Sequence, residues 1–150
     1  MTVFREARVE DVAAVVALLT DDVLGRGREL GTIAEYEAAF LRMKSEGGNH
    51  LIVGEADGRV VATYQITFIS GLSLRAARRA QVESVRVAVD LRGQGLGAAL
   101  FADAEQRARA AGCTLMQLTS NRSRSDAQRF YERLGFEPSH VGYKKKLSTR

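Results

Sequence analysis

The chain has 150 residues, 45% of them hydrophobic and 27% charged, with one proline. That is enough for a single domain with a real core, residues 1–150, and too little for two ordinary ones. The net charge of +4 suits a polyanionic ligand, but the terminal run KKKLSTR accounts for it as a solvated end, and no aromatic–basic interleaving points to nucleic acid.

The N-terminal stretch MTVFREARVEDV holds no apolar signal core, and no run in the chain approaches membrane-spanning length. The expected setting is the cytoplasm, with no membrane attachment. Residues 3–7 read as a first strand. Residues 10–20 place Val12, Val15, Val16 and Leu19 at helical spacing, with acids in the first turn. DDVLGRGREL then breaks the pattern. A second helix over 32–46 presents Ile33, Tyr36, Phe40 and Met43 and ends at Gly47-Gly48. Residues 50–69 are two β-branched runs joined at Asp57-Gly58, a hairpin signal.

The basic segment 70–80 fits either a loop or a short helical turn. Residues 81–89, QVESVRVAV, read as a strand running straight into the loop DLRGQGLG. A helix over 97–111 lines up Leu96, Leu100, Ala104, Ala108 and Ala111, with Gly112 placed to cap it. The lone Cys113 excludes an internal disulfide and reads as a small buried hydrophobe; with two histidines, Cys/His spacing assembles no metal site. Residues 114–119 form the next strand. SDAQRFYERLG follows as a helix with a capping-box pattern at Ser125 and Gln128, burying Ala127, Phe130 and Leu134 and stopping at Gly135. The tail FEPSHVGYKKKL reads as two short strands around a turn. The sum is a mixed α/β domain in which 81–89, 97–111 and 114–119 make one right-handed crossover.

A strand that feeds a glycine-rich turn opening a helix is an anion trap. The first helical amides lack intrahelical partners, the dipole adds positive potential, and glycines let phosphates approach the main chain. Gly93, Gly95 and Ala98 fit a dinucleotide fingerprint, whereas Arg92, Gly95 and Gly97 fit R/Q-x-x-G-x-G/A, a loop for the pyrophosphate of coenzyme A. A nicotinamide site needs an acid near the end of the next strand, and none stands between Glu105 and Asp126. Arg122 and Arg124 leave NADP open locally, but the loop begins too late for the remaining βα units of a doubly wound sheet. A P-loop lacks its Gly-Lys-Ser/Thr ending. The coenzyme A reading survives.

Over nearly its whole length, and most sharply over 82–137, the chain resembles the GNAT superfamily of N-acetyltransferases. VESVRVAVDLRGQGLGAALF and LTSNRSRSDAQRFYERLGF carry the resemblance at the family's separation. It implies a GNAT-like acyl-CoA acyltransferase fold, with a central sheet of about seven strands flanked by about four helices. It implies acetyl-CoA as co-substrate, no metal, and a small-molecule or peptide amine as acceptor. The main chain of Val87, Ala88 and Val89 would pair with the pantetheine arm, and the amides of Arg92, Gly93, Gln94, Gly95, Leu96 and Gly97 would wrap the pyrophosphate. Asn121 matches an arm-contacting position, or caps its own turn. Tyr131 matches the acid that protonates the departing thiolate, and the Val87 N–H is the expected oxyanion donor.

Strict alternation would put Glu83, Val85, Val87 and Val89 on one face and Val82, Ser84, Arg86 and Ala88 on the other. A glutamate buried among valines would have its pKa raised, which suits a base acting through water. An ion pair with Arg5 or Arg79 is the structural alternative. Asp21, Asp22, Leu24, Gly25, Tyr36, Phe40, Arg75, Arg78 and Arg79 are the expected acceptor-pocket residues, and their charges point in opposite directions. His140 sits either near the site or in a surface turn. The family resemblance also allows a homodimer through C-terminal strands. A non-catalytic acyl-CoA-sensing module is the other reading, with an NADP-binding domain behind it.

Overall fold

The computed structural model describes residues 1–21 and 31–148; Asp22, Leu24 and Gly25 of the expected pocket lie outside them. The chain divides into two compact units, Met1–Gln117 and Leu118–Arg150.

The first unit is built on a mixed sheet in the order β1-β2-β3-β4-β5. Strands β1 (Val3–Glu6), β2 (Asn49–Ala56), β3 (Arg59–Ile69) and β4 (Arg79–Val87) pair antiparallel in succession. Strand β5 (Leu115–Gln117) lies parallel to β4. The β2–β3 hairpin turns at Asp57 and Gly58, both at positive φ (52° and 74°), the two-residue turn that the sequence signals. The parallel pair is joined through α4 (Leu96–Ala110), as the crossover requires.

Cross-strand register sorts the side chains into two faces. Ile52, Tyr64, Ile66 and Val82 share one face, and against it α4 lays Leu100, Phe101, Ala104 and Ala108, all buried. The alanines of that stripe let the helix sit close to the sheet. The fully buried Tyr64 donates its hydroxyl to Asp103 (2.5 Å), Asp103 also accepts from Arg107 Nε (2.8 Å), and Arg107 reaches the Phe4 carbonyl (3.2 Å). This strut ties β3, α4 and β1 together. On the opposite face α1 (Val12–Thr20) and α2 (Ile33–Ser45) enclose a core of Ala7, Val12, Val15, Phe40 and Val53. Helix α2 opens with a capping box: Thr32 Oγ1 accepts from the Glu35 amide (3.2 Å) while Glu35 accepts from the Thr32 amide (3.0 Å). Ile33 is exposed rather than packed.

Four expectations need correction. The tail 136–148 contains no strand, so among the described residues the sheet has five strands instead of about seven. Alternating apolar residues give the tail strand character, but it forms no ladder, and Val141, Tyr143 and Leu147 stand exposed. The described helices number five, not four, because the basic segment forms a one-turn α3 (Ser73–Ala76), whose Leu74, Arg75 and Ala76 lie at left-handed φ of 54°, 60° and 59°. In the second unit, α5 (Ser125–Arg133) starts with Arg124, not Ser125, at its N-cap, because the preceding turn bonds the Arg124 amide to the Asn121 carbonyl (3.0 Å). Gln128 instead donates to the carbonyls of Asn121 and Arg122, each at 3.4 Å. Leu134 is exposed, while Ala127 and Phe130 are half-buried.

Helix ends follow the sequence closely. Gly112 (φ 81°) and Gly135 (φ 96°) end α4 and α5. The paired bonds Gly112 N to Arg109 O (3.0 Å) with Cys113 N to Ala108 O (2.9 Å), and Gly135 N to Glu132 O (3.0 Å) with Phe136 N to Tyr131 O (3.1 Å), are Schellman caps. Cys113 is buried and free, as expected of a small core residue.

Candidate functional site

The glycine loop is held at both ends by the core. Ala88, just past the end of β4, donates to the Val61 carbonyl (2.8 Å), and Leu91 and Leu96 pack against Leu18, Val61 and Ala88. Between them the chain makes a 3-10 turn over Val89–Leu91, an extended Arg92 and a left-handed Gly93 (φ 79°). Gly95, with φ 82° and ψ 3°, is the N-cap of α4 and offers no capping side chain. The first intrahelical bond runs from Ala99 N to Gly95 O (3.1 Å). The amides of Leu96, Gly97 and Ala98 therefore point out of the helix start, where its dipole is positive. A cleft of about 610 Å3 adjoins this point, bordered by Arg59, Val61, Gln94 and Gly95.

The loop is braced on its outer side. Arg59 holds Asp90 in a two-pronged ion pair (2.9 Å on each prong); Arg59 lowers the pKa of the Asp90 carboxyl, and Asp90 raises that of Arg59. Gln94 Nε2 donates to the Asp90 carbonyl (3.4 Å), and Arg92 Nε folds back to the Val87 carbonyl (3.4 Å). No sequence motif signals the Arg59–Asp90 brace, because its partners stand on different elements.

Strand β4 departs from the simple alternation at Ser84, which lies at φ 56°. The register with β3 shifts there, from Gln65 opposite Glu83 to Thr63 opposite Arg86. This is a bulge, and it changes the faces read from sequence. Glu83 shares its face with Gln65, Leu51 and Arg86, not with a row of valines, and it is exposed. The argument from burial therefore falls. Among the described residues Glu83 makes no ion pair; Arg5 instead binds Asp11 (2.8 Å) and Glu55 (2.7 Å).

Strand β4 meets β5 only from Arg79 to Gln81, leaving its later residues with no β5 partner. Because the Ala88 amide turns toward β3, the Val87 N–H and C=O turn toward that open side. The strand stops at Val87. Val89 belongs to the 3-10 turn, is exposed, and gives its carbonyl to the Arg92 amide (3.4 Å). The open stretch is thus Val85–Val87, earlier than the sequence suggests.

The expected acceptor residues scatter. Phe40 is in the core and Asp21 is exposed. The Tyr36 hydroxyl accepts from the Gly31 amide (3.3 Å). Arg78 is structural: it donates to the Ala111 carbonyl (2.9 Å) and Ser70 Oγ (2.8 Å) and lies over Phe68. Arg75 is exposed on α3, and Arg79 is half-buried.

Asn121, Tyr131 and His140 belong to the second unit. Asn121 Oδ1 accepts from the Ser123 amide (2.9 Å) and hydroxyl (2.7 Å), so it does cap its turn. Tyr131 is half-buried, with its ring tilted on Phe130 and edge-on to Phe136. His140 is exposed and paired with Ser139 Oγ (2.7 Å), a surface-turn histidine. Among the described residues no three His, Cys, Asp or Glu side chains gather as a metal site, and no helix is long and apolar enough to cross a membrane.

Comparison with known proteins adds to this geometry. The sequence model of the acetyltransferase (GNAT) family matches residues 13–136. The aminoalkylphosphonate N-acetyltransferase of Salmonella typhimurium (strain LT2) is 42% identical over 67 residues, 45% of this chain and 44% of that enzyme. The chain therefore aligns with less than half of that curated relative's length. A Bacillus halodurans C-125 protein described as a transcriptional regulator superposes with a TM-score of 0.93 at 41% identity, covering 98% of this chain and 100% of the other. The glucosamine-6-phosphate N-acetyltransferase of Arabidopsis thaliana shares the fold, with a TM-score of 0.82 at 20% identity and 99% coverage of each chain.

Proposed function

Because the chain belongs to the GNAT acetyltransferase family, we propose that it transfers the acetyl group of acetyl-CoA to an amine by direct attack within a ternary complex. The observation that carries this reading is the strand–loop–helix at Val85–Ala98, where an open strand edge runs into outward-facing helix amides. The amides of the loop and helix start hold the pyrophosphate, with glycine at the two positive-φ positions that a side chain would strain. The Val85–Val87 main chain pairs with the pantetheine arm.

The chemistry then requires little of the side chains. The amine nitrogen bonds to the thioester carbonyl carbon, the Val87 N–H meets the oxyanion, and the carbon–sulfur bond breaks. Glu83, exposed beside the bulge, takes the ammonium proton through water. Tyr131 gives the thiolate its proton and is reprotonated from solvent. The whole chain serves as one catalytic domain working in a reducing compartment, in keeping with its buried free thiol.

A second reading, a module that binds acyl-CoA without turning it over, is favoured by the 41%-identical neighbour described as a transcriptional regulator. One experiment separates the two. A ligand at a hundred times its Kd stabilises the native state by about 2.7 kcal/mol, so acetyl-CoA is expected to raise the melting temperature while NADPH does not. Release of free thiol from acetyl-CoA with an amine panel then marks an enzyme, and stabilisation without release marks the sensor. Stabilisation by NADPH alone would sink both.

A further inference from the structure

The sheet face that carries Glu83 ends in a row of neutral hydrogen-bonding side chains. Register aligns Asn49 with Thr67, Thr67 with Gln81, and Gln81 with Gln117, so the row crosses β2, β3, β4 and β5. The next row is Leu51, Gln65 and Glu83. All of these are half-buried except the exposed Glu83. On the other face the matching β3–β4 rungs are apolar, Ile66 with Val82 and Phe68 with Ala80, and His50 of β2 stands beside Ile66. Five amides and hydroxyls on a half-buried sheet face are a poor choice for stability, since β-branched apolar residues would pack there without the cost of desolvating polar groups.

Their mutual bonds use only part of their capacity. Gln65 Nε2 donates to Asn49 Oδ1 (2.8 Å), Thr67 Oγ1 to the same oxygen (3.3 Å), and Gln117 Nε2 to Gln81 Oε1 (2.7 Å). Each carboxamide offers two donors and two acceptor lone pairs. These bonds leave the NH2 of Gln81 and the carbonyl oxygens of Gln65 and Gln117 to meet something else. The charged residues that share the face include Glu83 itself, Arg86 beyond the bulge, Arg79 one rung outside the row, whose guanidinium lies toward Gly71, and the mutually paired Arg5 and Glu55 farther along β1 and β2. At the row's β2 end Asn49 Nδ2 donates to the Glu46 carboxylate (3.1 Å).

We propose that this row is the acceptor subsite, and that it selects amines whose body carries amide or hydroxyl groups. The inference rests on the acetyl-transfer reading above. Gln81 stands two residues from Glu83, about 7 Å along the strand. An amine held at Glu83 therefore meets the row with groups several bonds from its nitrogen. A site built to bond such groups discriminates against analogues lacking them, because its own polar groups are then left unpaired.

The test compares kcat/KM for four amines: glucosamine as the hydroxyl probe, glycylglycinamide as the amide probe, butylamine as the apolar one and 2-aminoethylphosphonate as the anionic one. The intact protein is compared with Gln81→Leu and with the isosteric Thr67→Val, so that ratios between proteins cancel the amines' differing basicity. Each substitution is expected to lower kcat/KM for glucosamine or glycylglycinamide about tenfold relative to butylamine; which probe responds identifies the source of the bonded groups. Should Gln81→Leu fail to fold, Thr67→Val alone decides. Equal losses on every amine overturn the inference and leave acetyl transfer standing. A preference for 2-aminoethylphosphonate that survives both substitutions also overturns it, handing recognition to Arg79 and Arg86. No thiol release with any amine overturns the acetyl-transfer reading, and the inference with it.

Discussion

Asp11 is a nearly buried carboxylate that accepts two bonds from the Arg5 guanidinium (2.8 and 3.0 Å) and one from the Arg8 amide (2.7 Å). These bonds, Arg5 foremost, hold its pKa below the usual carboxylate value against the opposing cost of burial. A carboxyl depressed on folding stabilises the protein above its unfolded pKa, and that contribution fades as pH falls through the folded value. Asp11→Asn is expected to cost about 1–3 kcal/mol in urea unfolding at neutral pH, and the gap to the parent should narrow below about pH 4. Tyr64 shows the opposite direction. Burial, then its bond to Asp103, raises its pKa well above that of a free phenol, which makes it a strut rather than a proton carrier. Tyr131 is the tyrosine we propose as the acid, and Tyr131→Phe is expected to lower kcat by about 10²-fold while leaving acetyl-CoA binding measurable by calorimetry. An unchanged kcat would remove it from the role.

At the scale of elements, two glycines bracket α4 in nearly the same left-handed conformation. Gly95 at its start has φ 82° and Gly112 at its end φ 81°, and a Cβ at either would meet nothing within 4 Å. The penalty for alanine is therefore conformational, roughly 1–2 kcal/mol at each. Gly95→Ala and Gly112→Ala should lower the unfolding midpoint by similar amounts, whereas only Gly95→Ala should weaken acetyl-CoA binding. Equal effects on binding would mean that the helix start is not the phosphate site. The cap at Gly112 and the hairpin at Asp57-Gly58 are local events, so sequence predicted both. The bulge at Ser84 is not local. A serine within a β-rich run carries no sign that it will adopt a left-handed φ, and because it does Arg86 joins the face of Glu83 while Val87 leaves it.

On the scale of the whole chain, the same division separates what was legible from what was not. Residues 137–147 form no strand and carry few backbone bonds among the described residues, so their amides should exchange with deuterium almost unprotected in dilute solution, while those of β2 and β3 exchange slowest. Protection of the tail comparable to that of β3 would mean that it does find an edge, as its alternation suggests. Local preferences of a few adjacent residues account for what could be read in advance: the succession of elements as far as the last helix, the glycine caps at Gly112 and Gly135, the hairpin and the glycine loop. Pairing between distant segments settled how many strands join the sheet, where β4 parts from β5, and that Glu83 faces water beside a row of amides. Those features depend on register between segments far apart in the chain, and one inserted residue in a strand turns its following side chains to the other face.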